Sequence, residues 1–232
     1  MEEKPARNLE QHHLKVQKTA RYAVMGSFGA ALAEVWVVCH GHGQLATRFL
    51  SHFAPLDRED RLIVAPEALS RYYLASPNTV HGRGSPVGAT WMTSEDREAE
   101  IADYVAYLDL LHEEIFTRVK RDRVKLHVLG FSQGAATVSR WVAAGNVKAD
   151  RVIIWGGLLP PELQAGEMRA LAARAPLTMV VGRSDEYATR DVVAAQEARL
   201  TAAGVAYETI WFDGGHDIVE SGLRQLASAE SR

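Results

Sequence analysis

Apolar residues in this chain cluster in short continuous runs, and most are stopped by glycine or proline. Val35-Trp36-Val37-Val38-Cys39 ends at His40-Gly41, and Leu62-Ile63-Val64-Ala65 ends at Pro66. Val124 to Leu129 leads into Gly130, Arg151 to Trp155 into Gly156-Gly157, Leu177 to Val181 into Gly182, and Tyr207 to Phe212 into Asp213-Gly214-Gly215. Runs without alternation, rich in Val and Ile and bounded by glycine, suit strands covered on both faces, the condition of a parallel sheet. Between them the period changes. Ile101, Tyr104, Val105, Leu108, Leu111 and Ile115 recur at helical spacing behind Ser94-Glu95-Asp96, and a serine followed by acids predicts a helix start at Ser94. Gln133 to Ala144 and Asp191 to Ala203 read as two further helices, the second capped by Asp191 and stopped by Gly204. Strands alternating with helices predict an α/β fold, a mostly parallel central sheet with helices on both faces. Leu14 to Thr19 and Arg21 to Met25 lie too close together for a helix between them. They are expected to pair antiparallel at an N-terminal sheet edge.

Length and composition narrow this picture. At 232 residues, 47% hydrophobic and 24% charged, the chain suits one α/β domain over residues 1–232, with the polar start, about 1–12, expected to be disordered. A single cysteine, Cys39, excludes a disulfide scaffold and fits a reducing compartment. The balance of 26 basic against 29 acidic residues shows no basic stripe, which argues against a nucleic-acid partner. No apolar run approaches the ~18 residues of a spanning helix, and the start lacks the pattern of a secretory signal. A cytoplasmic address without integral membrane association is therefore expected.

Gly130-Phe131-Ser132-Gln133-Gly134 matches G-x-S-x-G. At average Gly and Ser frequencies the pattern arises in roughly one chain of this length in ten, so context has to decide. Here it follows an apolar strand directly and precedes a helix-compatible stretch of small residues. That is the setting in which a strained strand-to-helix turn lifts a serine hydroxyl off the sheet edge beside the free amides of a helix N-terminus. A serine needs a base, and the base needs a carboxylate to set its tautomer. Of nine histidines only His216 lies downstream, in a glycine loop after Tyr207–Phe212. Asp185, a short turn past Leu177–Val181, is the expected acid, with adjacent Glu186 as alternative. Asp150 precedes a strand, Asp191 reads as a cap, and Asp213 and Asp217 flank His216 too tightly. The oxyanion of an acyl-transfer intermediate would be held by the backbone amides of Gln133 and of His42, in the loop His40-Gly41-His42-Gly43-Gln44. His40-x-His42 also permits a zinc reading, but no third ligand follows at a recognisable spacing, so no metal site is assigned. Gly82 to Gly88 lacks the strand and helix of a phosphate loop, and a surface loop at the rim of the site is expected there instead. No cofactor is expected.

Taken together, the chain resembles the phospholipase/carboxylesterase family of α/β-hydrolases, which includes the acyl-protein thioesterases. The matching features run in order along nearly the whole chain: His40-Gly41-His42-Gly43, Ala65-Pro66, Trp91 before a long helix, Gly130-Phe131-Ser132-Gln133-Gly134, Gly182-x-x-Asp185, and Gly215-His216-Asp217-Ile218. The resemblance implies an α/β-hydrolase fold and a serine hydrolase acting on small-molecule carboxylic esters or thioesters. It implies Ser132, Asp185 and His216 as the triad and His42 and Gln133 as oxyanion donors. Departures occur at His42, where the family is commonly apolar, at Tyr187-Ala188, where Val-Pro is usual, and over residues 67–90. The short link from Gly156 to Arg174 leaves little room for a large lid, so short to medium acyl chains are expected. Trp91, Tyr72, Tyr73, Leu158 and Leu159 are candidates for the pocket wall. A peptidase or lactone hydrolase using the same serine, and a non-catalytic binding module on the same fold, are the competing functions. A homodimer is compatible with the class, and no residue pattern demonstrates one.

Overall fold

The computed structural model describes residues 9–29, 31–75 and 80–229. In chain order the elements are β1 (Tyr22–Met25), β2 (Glu34–Cys39), α1 (Ala46–Ser51), β3 (Arg61–Pro66), β4 (Ser70–Tyr73), β5 (Val87–Thr90), α2 (Arg97–Arg118), β6 (Lys125–Phe131), α3 (Gln133–Ala144), β7 (Arg151–Trp155), α4 (Ala165–Arg174), β8 (Leu177–Gly182), α5 (Arg190–Ala202), β9 (Tyr207–Phe212) and α6 (Glu220–Ala229). Seven strands form one sheet in the order β1-β3-β2-β6-β7-β8-β9, and β4 and β5 form a separate antiparallel hairpin. Every neighbour in the large sheet is parallel except β1, which runs antiparallel to β3 from Tyr22 opposite Pro66 to Met25 opposite Ile63. This is the mostly parallel sheet with an antiparallel N-terminal edge that the alternation of runs and the closeness of the first segments predict.

The continuous apolar strands are explained by burial on both sides. Along β2, Val35, Val37 and Cys39 join the cluster packed under α2, α3, α4 and α5, whereas Trp36 and Val38 join the one under α1 and α6. All five are fully buried. A strand between two helical layers has no polar face to alternate with, which is why the period of two is missing from its sequence.

Three local expectations are corrected. Residues 14–19 form no strand, because Tyr22–Met25 already occupies the edge of β3 and Leu14 and Val16 stand exposed, so pairing there would bury nothing. Helix α2 starts at Arg97 rather than Ser94: the Thr93 amide donates to the Glu100 carboxylate at 2.6 Å, and Asp96 turns the chain with a left-handed φ of 48°. Helix α5 is capped by Thr189, whose hydroxyl accepts from the Val192 amide, and Asp191 sits in the first turn. Residues 1–8 of the start expected to be disordered lie outside the described residues, and 9–12 carry no helix or strand.

The topology positions the site. From β2 the chain passes to β3 on one side, and the later strand β6 takes the other side of β2. Loops leaving the C-terminal ends of β2 and β6 therefore diverge and open a crevice at that switch point. Cys39 lies opposite Gly130 across it, which brings the His40–Gln44 loop beside Ser132.

Candidate active site

Ser132 joins β6 to α3 with φ 53° and ψ −116°, one of two non-glycine residues with positive φ among the described residues. Such a conformation costs about 1–3 kcal/mol and persists only when its surroundings impose it. Here they do. A Cβ on Gly130 would stand 2.1 Å from the Gly134 carbonyl oxygen, and one on Gly134 would stand 2.2 Å from that of Cys39, so only glycine lets helix and strands approach this closely. The Ser132 amide donates to the Trp155 carbonyl of β7 at 2.9 Å, which pins the turn from its other side.

The loops after β8 and β9 bring the other two groups to this serine. His216 Nε2 lies 3.0 Å from Ser132 Oγ, and its Nδ1 lies 2.9 Å from Asp185 Oδ2. The second oxygen of Asp185 accepts the amides of Tyr187 at 2.9 Å and Ala188 at 2.8 Å, and its side chain is only 1% exposed. A carboxylate held by two amides with one oxygen left for the ring sets the tautomer: Nδ1–H donates to Asp185, and Nε2 is left to accept from the hydroxyl. The two loops are stitched together, with the Ser184 amide and hydroxyl both donating to the Gly214 carbonyl at 3.0 and 2.9 Å. Phe131 and Tyr187 set their rings 4.9 and 4.7 Å from that of His216. The other acids stand elsewhere. Glu186 is exposed, Asp213 pairs with Arg183, Asp217 holds the Ile218 amide, and Asp150 braces Leu126 at the opposite end of the sheet.

The amides of His42 and Gln133 donate to no other described residue. Gln133 is the first residue of α3, where an amide has no intrahelical acceptor. His40 and His42 do not converge. His40 is fully buried, donates through Nδ1 to the Gly41 carbonyl at 2.7 Å and accepts the Ala68 amide at Nε2, and burial holds its pKa below that of a free imidazole. The ring nitrogens of His42 meet Thr90 and Tyr72 instead. Cys39, although close by, is no rival nucleophile, because complete burial pushes its thiol up and keeps it protonated.

A cavity of about 740 Å³ opens on this centre, lined by His42, Ser132 and His216 and walled by Leu158, Leu159, Pro160, Pro161, Tyr187 and Ala188. Of the residues expected on its wall, Leu158 and Leu159 are there. Trp91 is buried, donating its indole N–H to the His40 carbonyl at 2.8 Å. Tyr73 stacks on His81 at the outside of the β4–β5 hairpin, and Tyr72 reaches His42 rather than the cavity. The sequence reading missed Tyr187, Ala188, Pro160 and Pro161. Their adjacency to Asp185 and Leu159 was the signal that could have found them. Nothing in the sequence points to Arg199, which donates to the carbonyls of Pro160, Pro161 and Leu163 and so shapes that wall from α5.

The sequence profile of the Phospholipase/Carboxylesterase family matches residues 23–229. The chain belongs to this family. The hydrolase also shares its fold with solved structures at low identity. Acyl-protein thioesterase 2 of Zea mays is 19% identical, with a TM-score of 0.68 over 92% of this chain and 98% of that one. Esterase PE8 is 18% identical, with a TM-score of 0.64 over 92% and 99%. A phospholipase/carboxylesterase from Dyadobacter fermentans is 17% identical, with a TM-score of 0.63 over 94% and 99%. No curated protein matches the chain by sequence. Family membership makes the protein an esterase-type hydrolase, and its substrate is accordingly a small molecule.

Proposed function

We propose that this hydrolase cleaves carboxylic esters or thioesters of short to medium acyl chain through an acyl-enzyme, with Ser132 as nucleophile, His216 as base and Asp185 as the group that orients it. The observation that carries the reading is the continuous chain from Ser132 Oγ through His216 to Asp185, at 3.0 and 2.9 Å, on a serine held at positive φ. Ser132 Oγ bonds to the carbonyl carbon while its proton passes to His216 Nε2, and the imidazolium is stabilised by the buried Asp185 carboxylate. The negative oxygen of the tetrahedral intermediate would lie against the amides of His42 and Gln133. Collapse breaks the bond to the alcohol or thiol, which leaves with the proton from His216. Water, deprotonated by the same nitrogen, then releases the acid and restores the serine.

The apolar wall at Leu158, Leu159, Pro160 and Pro161 suits an acyl chain, and a volume of about 740 Å³ suits a small substrate. Among the described residues no helix is long and apolar enough to cross a membrane. A cytoplasmic site of action is part of this reading, on the strength of the single buried cysteine.

The deciding experiment combines labelling with turnover. A fluorophosphonate should modify Ser132, and Ser132→Ala should lose the label and reduce p-nitrophenyl acetate turnover by roughly 10⁴-fold or more. Full turnover in Ser132→Ala would remove the assignment. Saturable ligand binding without turnover by the wild-type protein would favour a binding module, and a panel of esters, thioesters, lactones and amides would rank the substrate classes.

A further inference from the structure

The side chains of the two residues whose amides face the incipient oxyanion meet at one buried hydroxyl. Thr90, at the end of β5 and 5% exposed, places Oγ1 3.2 Å from His42 Nδ1 and 3.0 Å from Gln133 Nε2. The hydroxyl has one hydrogen and three groups that could take it, the Met92 carbonyl at 2.9 Å, Gln133 Oε1 at 3.2 Å and, in its other tautomer, His42 Nδ1. Gln133 Oε1 already accepts the Trp91 amide at 3.0 Å and the Met92 carbonyl is the nearest of the three, so with His42 in its Nδ1–H tautomer the hydroxyl donates to Met92 and accepts from both His42 and Gln133. That direction gives every partner a role. His42 carries its hydrogen on Nδ1, and its Nε2 accepts the phenol of Tyr72 at 2.6 Å. Burial pushes the Tyr72 phenol up, which keeps it protonated and able to donate. Gln133 Nε2 spends its second hydrogen on the Met92 carbonyl at 2.8 Å.

The backbone reinforces the link. The Gly43 amide donates to the Ala89 carbonyl at 2.8 Å, and the Ala89 amide to the Gln44 carbonyl at 3.2 Å, so the loop bearing the His42 amide lies on β5 as a further strand would. A Cβ on Gly88 would stand 2.4 Å from the Gly43 carbonyl oxygen. The β4–β5 hairpin, in the segment that matched no family pattern, is thus the platform for one amide, and Thr90 joins it to the helix that carries the other.

We infer that Thr90 is a positioning residue that clamps the amides of His42 and Gln133 at one spacing, with Tyr72 fixing the outer side of His42. The inference rests on the proposal that these amides stabilise the oxyanion. A clamp of this kind acts where charge develops and leaves ground-state binding alone, since a small displacement of an amide weakens its bond to the intermediate more than to the neutral carbonyl.

The test is a steady-state comparison on p-nitrophenyl butyrate. Thr90→Val keeps the shape of the side chain and removes the hydroxyl. Its kcat should fall roughly tenfold with KM within about twofold, and Thr90→Ser should restore it. A trifluoromethyl ketone, which forms a tetrahedral adduct on a serine, should lose affinity for Thr90→Val by a similar factor. His42→Ala keeps the amide at an exposed position and serves if Thr90→Val does not fold; its kcat should fall about three- to fivefold, and kcat alone is the readout because the ring also lines the cavity. Should Ser132→Ala be inactive while both variants keep kcat within twofold, or lose only KM, the clamp is overturned and the serine mechanism stands. Turnover surviving in Ser132→Ala would instead remove the reading on which the clamp depends.

Discussion

Two cavities lie at opposite ends of the same sheet, and the larger is not the one with the chemistry. At the N-terminal ends of the strands about 1280 Å³ is lined by the first residues of β2, β3, β6, β7, β8 and β9, among them Glu34, Arg61, Lys125 and Arg151. Its arginines are committed. Arg61 is held by Glu34 and the Leu56 carbonyl, Arg151 donates to Thr178, Arg169 to the Ala203 carbonyl, and Arg174 to the Val142 and Gly145 carbonyls. These charges close off strand and helix ends, which is a structural task. At the C-terminal ends the smaller cavity holds a strained serine, an imidazole in contact with it, and two amides with no partner among the described residues. Convergence of unspent polar groups marks a site, and size does not. The fold makes the difference: the loops that leave β2 and β6 diverge at the C-terminal edge, where the strand order switches direction, and carry the reactive side chains to that end.

That contrast predicts activity losses from one end and stability losses from the other. The largest expected effect is Asp185→Asn. An amide there can leave the His216 ring in the wrong tautomer, and kcat should drop about 10³- to 10⁴-fold while thermal stability moves little by comparison. A drop below tenfold would mean that Asp185 does not orient the base. At the opposite end, Arg61→Met removes the guanidinium from Glu34, whose carboxyl burial pushes up and the bonds from Arg61 and Trp36 hold down. A carboxylate stripped of its buried partner should cost about 3 kcal/mol in urea unfolding, with turnover per folded molecule unchanged. Loss of kcat in properly folded Arg61→Met would break the division between the two ends.

The smallest effect is a pH limb, led by a histidine at the N-terminal end, His127. Burial pushes His127 down to about 4, and the same cause lowers His40 and His112. The unfolded chain takes up protons on these rings before the folded one does. Their contribution is therefore complete above about pH 6.5 and is lost as pH falls toward 4, with His127 accounting for roughly 2 kcal/mol between pH 6.5 and 4.5. Unfolding free energies measured across that window should decline with acidity, and His127→Phe, which can keep the stack on Trp36, should decline less. Parallel slopes for the two proteins would discard His127 as the cause.

Most of the sheet was legible because a strand between two helical layers must be apolar throughout, and such runs are visible without an alignment. The β4–β5 hairpin was not. Ser70-Arg71-Tyr72-Tyr73 alternates between half-buried and exposed positions and packs as a hairpin outside the large sheet, so it lacks the continuous apolar signal. Helix starts slipped for a different reason: a carboxylate four positions into α2, Glu100, captured the Thr93 amide and moved the start past the serine that local preference favours.

The order of short apolar runs, the glycines around Ser132, and the presence of only one histidine downstream of it are properties of the chain, and they were enough to name the fold and three candidate side chains. Distance was decided only on folding. Residues 132, 185 and 216 meet because parallel strands carry their loops to one edge, and the burial of Asp185 against two amides depends on a turn whose sequence, Glu186-Tyr187-Ala188, departs from the family's pattern. The meeting of His42, Gln133 and Tyr72 at or beside Thr90 left no periodic or motif signature at all. A hydrogen bond between side chains far apart in sequence is set by atomic positions to within a few tenths of an ångström, and linear order carries no information at that scale.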